Sequence, residues 1–189
     1  MQKSDLLFLP ISINVTGKKI LMIGGGKIAT HKAVIMKRFV DNVTVVAPEI
    51  SAEIEALGYT LIRKEYEPSD LDGYFLVYVV TADHDLNRQI KQDCEARGIL
   101  ASVCDAPLLC DFVSPAIHKE GNITISVGSN AQNVYQAVDI RNQIKELFEN
   151  GKIFIRSTAE IQGKSHVGWF RAWRSRFANL GRRKSNLEC

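Results

Sequence analysis

Apolar residues in this chain come in short blocks, and the spacing within the blocks predicts strands and helices in alternation. Ile20-Leu21-Met22-Ile23 is strand-sized and uninterrupted, as a strand buried on both faces should be. Three glycines follow at once. Ile28, Ala29, Ala33, Met36 and Phe39-Val40 then recur at helical spacing. Residues 42–47 read as a β-branched strand that Pro48 stops. Ser51 is placed to cap a short helix that Gly58 ends. Residues 59–63 predict a third strand, followed by a polar turn through Pro68 and Gly73. Residues 75–80 are the most continuous apolar run. A helix after them carries Leu86, Ile90, Cys94 and Arg97 along one side and stops at Gly98. Residues 99–103 predict a fifth strand, ending at Cys104-Asp105-Ala106-Pro107.

Strands joined by helical connections imply an α/β chain with a Rossmann-like, doubly wound parallel sheet. The pattern then changes. Residues 112–117 and 122–127 flank Lys119-Glu120-Gly121 and predict an antiparallel hairpin. A helix over residues 133–149 follows. The expected division is therefore 1–113 for the nucleotide-binding domain, 114–150 for hairpin and helix, and 151–189 for a short basic helical tail. In the tail, Trp169, Phe170, Trp173 and Phe177 fall at helical spacings among arginines. A solvated helix packed by its aromatic side, an anion-binding lid and a membrane-surface helix all fit that pattern.

Composition changes this picture little. Hydrophobic residues make up 46% and charged residues 24%, as in ordinary globular proteins. A net charge of +3 over 189 residues does not suggest a nucleic-acid partner. No apolar run reaches the length of a membrane span, and the N-terminal apolar stretch is too short for a signal peptide, so a cytoplasmic protein without membrane contact is expected. The four cysteines lack zinc-type spacing. Free thiols are expected ahead of a metal site at Cys104, Asp105 and Cys110, and no metal ligand is assigned.

The chemistry is expected at the glycines. Gly24, Gly26 and Ala29 fill the positions of a G-x-G-x-x-[GA] turn between a strand and a helix, with Gly25 between them. Gly24 permits the tight turn, Gly26 lets a pyrophosphate approach the backbone, and Ala29 permits close helix–strand packing. Ligands of open parallel sheets bind at the carboxyl ends of the strands. That rule adds Ala47-Pro48-Glu49, the stretch from Thr81-Ala82-Asp83 to Asn87, the segment from Cys104 to Phe112, and Ser126 to Gln132, all expected on one edge. Glu49 lies near the place of a ribose-binding acid but behind Pro48, so its backbone is as good a candidate as its carboxylate. Asp83 also reads as a helix N-cap. Asp105 sits just past the fifth strand, on the nicotinamide side, where a plain turn aspartate is the alternative. No tyrosine is followed four residues later by lysine, which argues against short-chain dehydrogenase chemistry of the tyrosine type.

An ordered set of segments resembles one family. Phe8-Leu9-Pro10-Ile11, residues 22–29 with Lys32, residues 43–49, Thr81-Ala82-Asp83 with Asn87, residues 103–107, Asp111-Phe112 and Pro115-Ala116-Ile117 together resemble the precorrin-2 dehydrogenase/sirohydrochlorin ferrochelatase family, the first part of siroheme synthase. The resemblance covers about residues 8 to 150. It implies NAD-dependent oxidation of precorrin-2 to sirohydrochlorin, a step of siroheme and porphyrin-type biosynthesis. In some members ferrous iron is then inserted. It implies Asp105 as the catalytic residue and Lys27-Ile28 and Pro48-Glu49 as NAD contacts. It implies a homodimer formed through the hairpin and the following helix, and a carboxylate-rich tetrapyrrole that Arg171, Arg174 and Arg176 could meet. The loop at residues 128–133 departs from the family's Gly-Lys-Ser-Pro-like run, and the methyltransferase half of fused siroheme synthases is absent from this sequence. The residues leave one rival reading: an NAD-sensing Rossmann regulatory domain without catalysis.

Overall fold

The computed structural model describes residues 5–104 and 106–156. Five strands form a parallel sheet in the order β3-β2-β1-β4-β5. They are β1 (Ile20–Ile23), β2 (Val43–Val46), β3 (Thr60–Ile62), β4 (Leu76–Val79) and β5 (Leu100–Val103). The glycine-turn strand β1 is central: Ile20 lies beside Val43 on one side and Leu76 on the other. Every residue of β1 and β2 is buried, which is why β1 reads as an unbroken apolar run and β2 as a β-branched one without alternation.

Successive residues of β1 serve opposite faces. Ile20 and Met22 join Ala29, Ala33 and Met36 of α1 (Lys27–Met36) and Ile54 of α2 (Ala52–Glu55). Leu21 and Ile23 join Ile90 and Cys94 of α3 (His84–Ala96) and Leu71 of a 3-10 turn, Pro68–Leu71. The sheet is therefore covered on both sides. Ser51 caps α2 as expected, accepting a hydrogen bond from the Ile54 amide at 3.3 Å. Cys94 is a core thiol, and burial pushes its pKa up to about 11.

A two-stranded antiparallel ribbon follows, made of β6 (Ala116–Glu120) and β7 (Ile123–Val127). Its first arm begins later than the sequence pattern predicts. Pro115 has no amide hydrogen, and Phe112 instead packs edge-on against Tyr78 of β4, ring centres 5.2 Å apart. Lys119 and Glu120 are strand residues, and Glu120 pairs with Ile123. The turn is thus Gly121-Asn122, with Gly121 at φ +55°.

The last helix is α4 (Val134–Glu149). The chain divides inside it into two compact units, Met1–Asn142 and Gln143–Cys189. Sheet and ribbon belong to the first. In the second, α4 closes with the Lys152 amide bonded to the Leu147 carbonyl at 2.9 Å and Gly151 at φ +64°. The aromatic and basic residues expected to form a helical tail, including Arg171, Arg174 and Arg176, lie outside the described residues. Among the described residues no helix is long and apolar enough to cross a membrane.

Candidate functional site

The turn after β1 is shaped by contacts that only glycine permits. Gly24 sits at φ +120°, and a Cβ there would fall 2.3 Å from the Val80 carbonyl oxygen. A Cβ on Gly25 would fall 2.1 Å from the Glu49 carbonyl oxygen. Both positions let the turn press against the ends of β4 and β2. Gly26 differs: a Cβ there would meet nothing within 4 Å. It opens toward space. Gly26 is also the residue preceding α1, and no side chain caps that helix. The amides of the first turn are thus left to an outside acceptor, and no acidic residue occupies that turn. Thr30 ties the far side together, its hydroxyl 3.1 Å from the Gly26 carbonyl and 2.7 Å from the Ser51 hydroxyl.

The loop after β4 is held by its own side chains. The Thr81 hydroxyl donates to Oδ1 of Asn87 at 2.6 Å, and Asn87, itself buried, donates back to the Thr81 carbonyl at 3.1 Å. Oδ1 of Asp83 accepts from the amides of Asp85 and Leu86 at 2.9 and 3.0 Å. That carboxylate caps α3, the role its position before the helix already suggested.

The segment after β5 folds back onto its own strand. The Asp111 amide bonds to the Ala101 carbonyl, and its carboxylate accepts from the Ala101 amide, both at 2.9 Å. The other carboxylate oxygen takes the buried Lys91 ammonium of α3 at 2.6 Å. The Cys110 thiol donates to the Val103 carbonyl at 3.1 Å. Burial pushes that thiol's pKa up. These bonds clamp both ends of the stretch containing Asp105, which itself lies outside the described residues.

A cleft of about 720 Å³ runs along the carboxyl edge of the sheet. Gly24, Gly25, Gly26, Lys27, Ile28, Pro48, Glu49, Thr81, Ala82 and Asp83 all line it. Cys104, the residue before Asp105, lines it too. The cleft has the size of a small-molecule site. Its walls suit a dinucleotide: an open glycine faces an uncapped helix N-terminus, with loops from β2 and β4 on either side. Glu65, Tyr66, His84 and Leu86 also line the cleft. Sequence reasoning gave Glu65 and Tyr66 no role, because they fall in a polar turn without motif spacing. The one available signal was a tyrosine close behind the third strand.

A family model described as "Putative NAD(P)-binding" matches residues 11–116, more than half of the chain. The chain is 36% identical over 146 residues to the siroheme synthase of Psychrobacter sp. (strain PRwf-1), covering 75% of this chain and 30% of that relative. It is 30% identical over 185 residues to the siroheme synthase of Photorhabdus laumondii subsp. laumondii, covering 96% of this chain and 38% of that one. The chain thus spans 30% to 38% of the length of these curated relatives. A solved structure of SirC, precorrin-2 dehydrogenase, superposes with a TM-score of 0.64 at 23% identity, covering 81% of this chain and 85% of the other. That likeness concerns the fold.

Proposed function

We propose that this chain, which belongs to the NAD(P)-binding family and is a relative of the siroheme synthases, is an NAD-dependent precorrin-2 dehydrogenase. The observation that carries the proposal is the placement of Cys104. Cys104, which precedes Asp105 in the sequence, lines the same cleft as the glycine turn, and this supports reading Asp105 as the acid that serves the bound cofactor.

The strand order supports a placement of the two halves of the cofactor. The turn after β1 would hold the pyrophosphate through its amides and the N-terminus of α1. Pro48-Glu49 beyond β2 would meet the adenosine, and the ends of β4 and β5 the nicotinamide half. Bound there, the nicotinamide would accept a hydride from the tetrapyrrole. Oxidation of precorrin-2 to sirohydrochlorin also releases a proton, and the Asp105 carboxylate would take it. The same carboxylate would accept pyrrole protons if ferrous iron is a second substrate. We further propose a homodimer through ribbon and helix. A lone two-stranded ribbon is marginal in water, and Ile123, Val134, Tyr135 and Ile140 are exposed on these elements.

The test is spectral. Anaerobic mixing with precorrin-2 and NAD should give sirohydrochlorin absorption and NADH together. Asp105→Ala should slow turnover by about 100-fold or more while leaving NAD affinity within about twofold. An unchanged rate removes Asp105 from the chemistry. If NAD binds and neither product forms, the chain is a nucleotide sensor instead. Ferrous iron added to sirohydrochlorin, against a no-enzyme control, reads the insertion step separately.

A further inference from the structure

The cleft contains an acid that no motif marks. Glu65 follows β3 by three residues and lines the cleft together with Glu49, which follows β2. β3 and β2 are neighbours, so both carboxylates come from the side of the sheet where a dinucleotide keeps its adenosine.

The two residues that follow Glu65 are anchored. The next residue, Tyr66, packs against the buried cluster of Leu71, Ile90 and Cys94. Its hydroxyl donates to Oδ2 of Asp93 on α3 at 2.9 Å. One residue further, the Glu67 amide bonds to Oδ2 of Asp70 at 2.9 Å, starting the 3-10 turn. The cations on this segment are already engaged. Arg63 pairs with Glu55, and Lys64 pairs with Glu67 at 3.0 Å and Asp70 at 2.9 Å. Of the described residues lining the cleft only Lys27 is a lysine or arginine, and it stands at the glycine turn rather than at the β2–β3 end.

We propose that Glu65, acting with Glu49, makes this cleft select NAD over NADP. This rests on the reading that the cleft holds a dinucleotide. A ribose 2′-hydroxyl can donate to a carboxylate. A 2′-phosphate brings further negative charge, and beside Asp or Glu it is repelled and loses hydration. A site that accepts NADP supplies an arginine at this place, whereas here the nearby cations are neutralised by other carboxylates.

The experiment is calorimetric titration of the full chain with NAD and with NADP, for the wild type, Glu65→Gln, Glu49→Gln and Glu65→Arg. The wild type should favour NAD by about tenfold or more, and the preference should narrow at high ionic strength. Glu65→Gln should reduce the NAD/NADP ratio by about fivefold or more, and Glu65→Arg should tighten NADP. Glu65 is exposed, so unchanged melting curves are expected for both variants. Equal wild-type affinities overturn the proposal. So does a ratio that Glu49→Gln changes and Glu65→Gln does not. If neither nucleotide binds, the dinucleotide reading itself falls, a result distinct from loss of selectivity.

Discussion

Gly24, Gly25 and Gly26 are adjacent in the chain and do different work. Gly24 and Gly25 are set by the protein, since a Cβ at either would overlap a backbone carbonyl. Gly26 is not demanded by any such overlap, since a Cβ there meets only open space. Alanine substitution should separate the roles. Gly25→Ala should cost about 1–3 kcal/mol or more of stability, because neither the Glu49 carbonyl nor the Ile50 backbone can move freely. Gly26→Ala should cost within about 1 kcal/mol, as expected for an N-cap position, yet weaken NAD binding by about tenfold or more. Thermal denaturation and titration of the two variants check this. A Gly26→Ala protein that binds NAD normally would place the pyrophosphate elsewhere.

The segment that follows β5 is tied to α3 by a buried charge. Lys91 is 7% exposed at its side chain and contacts Asp111 at 2.6 Å and Glu95 at 3.1 Å. Asp111→Ala removes the shorter contact and leaves the ammonium with the exposed Glu95. The expected loss is about 3 kcal/mol, and adding Lys91→Met should recover only part of it, because the underpaired buried charge is then gone while the Ala101 amide still lacks its acceptor. Denaturant unfolding of the single and double variants measures both. Much at this level was legible in the sequence. β1 and β4 announced themselves as solid apolar blocks, and Asp83 and Ser51 showed as caps by position. The ribbon's first arm did not, because the apolar residues 112–113 mimic a strand while Phe112 packs on Tyr78. Glu65 and Tyr66 reach the cleft only through the path of the β3-to-β4 crossover. Such a path depends on contacts distant in sequence, here Tyr66 with Asp93, and no local spacing encodes it.

Across the whole sheet, tyrosines fasten the connecting segments. Tyr59 serves the α1 face, its hydroxyl donating to the Ala33 carbonyl at 3.1 Å. Tyr66 serves the α3 face through Asp93. Burial, reinforced by Asp41, pushes Tyr59 up to about 12, and burial with Asp93 pushes Tyr66 up as well. Lys91 is also raised: burial works to lower it, and the bonds to Asp111 and Glu95 outweigh burial. All three groups are more strongly protonated in the folded state. Their contribution is therefore complete below the ordinary tyrosine and lysine values and is lost as pH rises through the folded ones. Stability should hold from neutral pH to about pH 10 as far as these groups decide it, then fall, with Tyr59 alone accounting for about 2–3 kcal/mol of the loss by about pH 12. Tyr59→Phe should cost about 1 kcal/mol near neutral pH, through the lost bond to Ala33, and should flatten the alkaline fall. Denaturant unfolding as a function of pH distinguishes this from a general charge effect. Alkaline deprotonation of surface lysines changes the net charge of wild type and Tyr59→Phe alike, so only a fastened phenol makes their curves converge as pH rises.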